Sequence, residues 1–239
     1  MYNKHMDIHK KQEGEVCLPK ARVDELLDIH SEDAATWRIF KIMSEFVSGF
    51  EFLRKYGKTA TFFGSSKCAL DDAIYKDATR LAGMLVEDGF DIITGGGPGI
   101  MEAANKGAFE AGGKSAGLNI ELPGGQVLNT YVNDTLSFHY FFTRKVILSF
   151  ASEVYVFFPG GFGTLDEFFE IVTLVQTKKI KPIPVIAVGK TYWTPLFDWI
   201  KKDVYERDKS IDKEDMDIYH LVDSAEEARA LIKELVSKK

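Results

Sequence analysis

The stretch "VYVFFPGGFGTLDEFFE", residues 154–170, changes character twice. Val154 to Phe158 are all apolar and read as a short buried strand. Pro159-Gly160-Gly161-Phe162-Gly163-Thr164 reads as a tight turn, and the apolar-periodic, acidic run behind it as a helix. Strand, glycine-rich turn, helix is the repeating half of a βαβ unit, which builds a mostly parallel sheet covered by helices.

Outward from that stretch the same alternation recurs. Further strand-like runs lie at 59–63, 90–94, 114–122, 136–138 and 183–189, the last being the final clear one. Helical patterns run from the "GSSKCALDDA" turn to about 88, within the stretch 95–113 between its glycine-rich turn and its glycine stop, and over 140–151, 163–179, 193–206 and 225–236. The expected fold class is therefore α/β: a Rossmann-like doubly wound, mostly parallel sheet with helices on both faces. Ahead of it, residues 1–19 read as a loose tail. Residues 21–56 form a helical extension in which Trp37, Phe40, Ile42, Phe46, Phe50 and Leu53 keep mostly three- and four-residue steps. The expected division is a tail and extension over 1–56 and a nucleotide-binding catalytic domain over 57–239.

Composition narrows the function classes. Of 239 residues 45% are hydrophobic and 28% charged, with a formal net charge of -6 and no long basic run. Broad binding to nucleic acid or to a membrane surface is disfavoured on electrostatic grounds. Cys17 and Cys68 form neither a CxxC pair nor a framework, so free thiols and a cytoplasmic location are expected. The N-terminus lacks the apolar core of a signal peptide, and no run approaches the ~18 apolar residues of a membrane span. Histidines 5, 9, 30, 139 and 220 show no ligand spacing, so no metal site is expected.

Two glycine-rich turns, "TGGGPGI" (94–100) and "PGGFGT" (159–164), each join a strand to a helix. In a doubly wound sheet both lie at the carboxyl edge, where ligands bind. Glycines let backbone amides approach an anion, and the helix start behind them adds about half a positive charge. Tight turning alone would also explain one such loop. Two on one edge favour anion binding. Neither continues as a P-loop or fits GxGxxG, since the sixth position from Gly95 is Ile100; a mononucleotide is favoured over a full dinucleotide.

Two charges stand where apolar residues are expected. "FHYFFTRKVILSF" is apolar nearly all round a helical wheel, yet carries Arg144 and Lys145 on the face of Phe141 and Leu148. They are either snorkelling cations at a helix rim or ligands of an anion. Glu167 has two readings as well. Thr164-Leu165-Asp166-Glu167 matches a capping box, while a carboxylate beside anion-binding amides suits a general base or cation stabiliser. Asp166 and Glu170 read as exposed helix-face residues.

These residues resemble a known family. "PGGFGTLDE" (159–167) is similar to the PGGxGTxxE signature of the LOG (lonely guy) proteins, cytokinin riboside 5'-monophosphate phosphoribohydrolases often labelled possible lysine decarboxylases. "TGGGPGIMEAANKGA" (94–108) resembles that family's second glycine-rich loop, "FTRK" (142–145) its Arg-Lys helix, and "FFGSS" (62–66) its first strand and turn. The resemblance covers roughly 56–205 and is of the extended bacterial type. It implies hydrolysis of the N-glycosidic bond of a nucleoside 5'-monophosphate, to free base and ribose 5-phosphate, without a cofactor. Arg144 and Glu167 fall on the two catalytic positions. The phosphate and substrate would lie on Gly160, Gly161, Gly163 and Thr164, with Gly64, Ser65, Gly96, Gly97 and Lys145 also in the site. Homodimers or larger homo-oligomers are implied.

Base preference stays open between AMP and N6-substituted nucleotides, with Met101, Phe138, His139 and the 121–133 loop as candidate pocket residues. Two rivals are defined. A pyridoxal-phosphate decarboxylase needs a Schiff-base lysine, for which only Lys145 offers itself. A non-catalytic nucleotide or phosphorylated-cofactor carrier needs the anion site but not the glutamate.

Overall fold

The computed structural model describes residues 32–121 and 128–237. The expected tail at 1–19, the start of the extension, and part of the 121–133 loop lie outside the described residues. The chain divides into two units, Met1–Lys41 and Ile42–Lys239. In the first, the described residues are the opening turns of helix α1 (Glu32–Leu53), where Trp37 and Phe40 pack ring on ring, both exposed.

The second unit alternates strand and helix. β1 (Thr59–Phe63), α2 (Ala73–Glu87), β2 (Asp91–Thr94), α3 (Ile100–Glu110), β3 (Ser115–Ile120), β4 (Asp134–Phe138) and α4 (Phe141–Ser149) form one half. β5 (Val154–Phe157), α5 (Phe162–Gln176), β6 (Val185–Val188), α6 (Lys190–Trp199), β7 (Tyr219–Val222) and α7 (Ala225–Ser237) form the other. A π-helical stretch, Ile200–Arg207, and a 3-10 turn, Lys213–Asp217, separate α6 from β7. All pairings are parallel, in the order β4-β3-β2-β1-β5-β6-β7. The expected α/β doubly wound architecture is borne out.

The central strands β1, β5 and β6 are buried at every position, which is why they read as unbroken apolar runs. One face packs Leu81 and Leu85 of α2, Ala104 of α3 and Ile232 of α7 against Phe62, Ile92 and Val156. The other packs Ile147 of α4, Phe168 of α5 and Trp193 of α6 against Tyr155 and Phe157. The sequence reading ended the sheet at β6. The seventh strand escaped it because Tyr219-His220-Leu221-Val222 is short, carries a histidine and is only half-buried at the sheet edge.

Strand order reverses between β1 and β5, whose carboxyl ends pair as Phe63 with Phe157. That switch point is where such sheets bind ligands. Three turns converge there. Ser65 N–H donates to Pro159 O at 3.0 Å, and Ile100 N–H donates to Ser65 O at 3.0 Å. Gly99 has φ of +72°, and a Cβ on it would collide with the Ser65 carbonyl.

Helix α4 offers no side-chain cap of its own at Tyr140. Glu45 of α1 supplies acceptors instead. It receives the N–H groups of His139 at 2.8 Å and Tyr140 at 3.3 Å, and the Thr143 hydroxyl at 2.5 Å. Glu45→Ala should lower unfolding free energy by about 1–2 kcal/mol, and Glu45→Gln by less, in urea titrations followed by circular dichroism.

Candidate active site

A cavity of about 340 Å³ opens over the β1/β5 switch point. Its walls are the 63–67 turn, Gly95 and Met101, Phe141 and Arg144 of α4, and Gly161, Gly163, Thr164 and Glu167. The volume suits a small ligand.

Helix α5 starts on the glycine turn, with Gly161 as its cap residue and no side-chain cap. Thr164 N–H donates back to Gly161 O at 3.0 Å. Among the described residues, the N–H groups of Gly161, Phe162 and Gly163 have no backbone acceptor, as expected at a helix start. The capping-box reading of Thr164 and Glu167 fails here. The helix begins at Phe162, so Thr164 already lies inside the first turn and Glu167 in the second. Glu167 is instead turned into the cavity and only 6% exposed.

Its Oε2 is buried with no hydrogen-bond partner among the described residues. Burial pushes the Glu167 carboxyl up from 4.5 to about 7, with Lys145 pulling it down, Glu170 adding to the rise and Arg144 opposing it. Arg144 is 9% exposed. Its Nε donates to Leu118 O at 2.7 Å, and Nη2 packs against Gly95, where a Cβ would collide with it. Burial lowers the guanidinium pKa and the Glu167 charge opposes that shift. Its Cζ lies 6.0 Å from the Phe141 ring centroid.

Among residues expected to hold phosphate or substrate, Gly161, Gly163, Thr164, Gly64 and Ser65 line the cavity. Gly160 packs tightly on Thr164 and Gly64. Three others do not line it. Lys145 Nζ is held by Asp166 Oδ2 at 2.5 Å and Glu170 Oε2 at 3.0 Å, with Glu167 Oε1 at 3.8 Å. Burial pulls the Lys145 pKa down, but the Asp166 bond and the glutamate charges outweigh it and leave it raised. So Asp166 and Glu170 are ion-pair partners of Lys145 rather than idle surface acids. Gly96 N–H donates to Thr94 Oγ1 at 2.9 Å, and Asn129 Nδ2 donates to the carbonyls of Gly96 and Gly97, both at 3.1 Å. The carbonyls of the second glycine turn are thus held by Asn129, and the Gly96 N–H by Thr94.

Of the candidate base-pocket residues, Met101 lines the cavity. Phe138 is fully buried in the core, and His139 is paired with Glu121 at 3.2 Å. The sequence reading missed Ser66 and Lys67, which the structure adds to the wall. Their signal was position, directly after the first strand's carboxyl end.

Fold and site together define a doubly wound α/β protein whose switch-point cavity holds a helix start and the buried Arg144 and Glu167. The chain belongs to the LOG family: the family model described as "possible lysine decarboxylase" matches residues 101–232. A probable cytokinin riboside 5'-monophosphate phosphoribohydrolase of rice (Oryza sativa) is 31% identical over 138 residues, 54% of this chain and 53% of that protein. The chain thus spans about half the length of this relative. A cytokinin riboside 5'-monophosphate phosphoribohydrolase of Arabidopsis thaliana is 29% identical over 189 residues, 77% of this chain and 85% of that one. Among solved structures, the molybdenum cofactor binding protein of Rippkaea orientalis superposes with a TM-score of 0.56 at 20% identity, over 75% of this chain and 98% of that chain. The molybdenum cofactor carrier protein of Chlamydomonas reinhardtii gives 0.54 at 24%, over 77% and 100%. These two share the fold. Among the described residues, no helix is long and apolar enough to cross a membrane and no metal-binding cluster occurs.

A carboxyl raised on folding has a stability signature. Glu167 binds its proton more tightly in the folded chain, so stability is fully present below pH 4.5 and falls as pH rises toward about 7. Glu167→Gln removes that loss. Its unfolding free energy should match wild type near pH 4.5 and exceed it above pH 7, by about 3 kcal/mol. A constant offset across that range in calorimetry would contradict the burial argument.

Proposed function

We propose that the chain is a nucleoside 5'-monophosphate phosphoribohydrolase, acting on AMP or its N6-substituted forms. The observation that carries this is Glu167: a buried carboxylate with one unpartnered oxygen, in the cavity where a helix start offers free amides. Family membership and the named activity of the plant relatives support the reading.

On this reading the 5'-phosphate rests on the amides of Gly161, Phe162 and Gly163, with Gly160 and Thr164 shaping the turn. The sugar extends toward Glu167. As the bond from the anomeric carbon to the base nitrogen breaks, its electron pair leaves with the base and positive charge grows on the ribose ring. An ionised Glu167 stabilises that charge and takes a proton from the water that adds to the anomeric carbon. The departing base takes up a proton. Arg144, held by Leu118 O and Gly95, keeps part of the Glu167 population ionised near neutral pH and orients it. Lys145, its Nζ 3.8 Å from Oε1, attracts the same carboxylate.

The decarboxylase reading fits less well. A Schiff-base lysine works with a depressed pKa, whereas carboxylates hold Lys145 upward. A pure carrier would have no use for a buried, destabilising glutamate.

Phe50 and Phe150 meet with ring centroids 6.2 Å apart, both exposed, and Phe142 is exposed on α4 too. Exposed aromatic surface of this kind supports self-association. We take the working form to be a cytoplasmic homo-oligomer, for which sedimentation should return at least twice the 26.9 kDa chain mass.

The deciding assay is chromatography of AMP and N6-isopentenyl-AMP after incubation with the protein. Free base and ribose 5-phosphate should appear, with kcat/KM rising with pH through about 7. Glu167→Gln should lose roughly 10²–10⁴-fold in rate. Intact nucleotides in every tube, or a fully active variant, would overturn the proposal.

A further inference from the structure

The cavity has an unbalanced charge account. A phosphate monoester carries about -1.5 to -2 at neutral pH, while a helix start offers about half a positive charge. The other cations near it are committed. Arg144 is buried, tied to Leu118 O and set opposite Glu167. Lys145 is held by Asp166 and Glu170 and does not reach the lining.

Lys67 is different. It lines the cavity and is exposed. Among the described residues its ammonium has no hydrogen-bond or ion-pair partner. Its backbone is fixed by the N–H bond to Ser65 Oγ at 3.1 Å. The turn that carries it is fastened to the glycine turn, since Ser65 N–H donates to Pro159 O and a Cβ on Gly160 would stand 3.0 Å from the carbonyl carbon of Gly64. A long flexible cation is thus anchored at the rim of the amide cradle, with its charge free.

We propose that Lys67 is the phosphate-binding cation of this site and sets its preference for phosphorylated over unphosphorylated sugars. This rests on the nucleotide reading above and goes beyond it by naming the group that selects the charged substrate. Lys67 closes on the phosphoryl oxygens as a point charge, completing on the solvent side what the helix amides begin. It touches no reacting atom, so its contribution is to binding and not to the chemical step.

The test uses the full chain with Lys67→Met and Lys67→Arg. With AMP, Lys67→Met should raise KM about tenfold while kcat stays within about twofold, and Lys67→Arg should restore most of the loss. By calorimetry, the Kd of ribose 5-phosphate should rise about as much, and raising salt should weaken wild type more than Lys67→Met. Unchanged KM and Kd in Lys67→Met would overturn the proposal, as would a loss confined to kcat. If wild type leaves AMP intact yet binds ribose 5-phosphate in a Lys67-dependent way, the hydrolase reading falls and the role of Lys67 stands.

Discussion

The burial of one carboxylate organises this site. Glu167 sits in the second turn of α5, nearly excluded from water, with one oxygen that nothing in the described chain satisfies. An unpaired buried acid costs stability, so it shifts its own pKa upward rather than remain fully charged. The surrounding architecture limits that shift. Arg144 faces it from α4, Lys145 stands beside it, and Glu170 pushes the other way. The result is a carboxyl poised near neutrality in a cavity, an arrangement that packing alone would not favour.

The sheet makes the arrangement possible. Because strand order turns back between β1 and β5, the two strands diverge into separate helices and leave a crevice at their carboxyl ends. Turns after β1, β2 and β5 fill its rim and hydrogen-bond to one another through Ser65. Neither position 160 nor position 99 has room for a Cβ: at Gly160 it would strike the Thr164 side chain, at Gly99 the Ser65 carbonyl. Helix α4 completes the crevice, and Glu45 of α1 caps the start of this helix, which carries Arg144.

Much of this was legible in the residue order, for definable reasons. Parallel strands buried on both faces leave continuous apolar runs, from which β1, β5 and β6 could be read, whereas the half-buried edge strand β7 leaves none. Arg144 and Glu167 stood out as charges in apolar company. What spacing could not give was the first residue of α5. A threonine and a glutamate three apart imitate a capping box wherever the helix starts, and it starts two residues before Thr164. The tethering of the Gly96 and Gly97 carbonyls was equally hidden, because it depends on Asn129, far along the chain and brought back by tertiary folding. Lys67 was passed over because a lysine in a polar turn is ordinary solvated surface until the turn is placed on the cavity rim.

The two lysines nearest the site show how position within the fold, rather than residue type, sets their roles. Lys145 lies on a packed helix among three carboxylates and serves to hold charge in place. Lys67 lies on a turn at the rim, with no partner for its ammonium among the described residues, suited to meet charge arriving from solvent. From Phe162 to Glu167 the axis of α5 advances roughly 7.5 Å. That span is comparable to the reach from a ribose 5'-phosphate, across the sugar, to its anomeric carbon. On the proposed reading, a single helix therefore engages both ends of the sugar phosphate, with its amides at the phosphate and its carboxylate at the bond to be cut. A ligand lacking the phosphate would lose the anchor that brings its anomeric carbon to Glu167, so phosphate recognition and catalysis are coupled through the rigidity of α5.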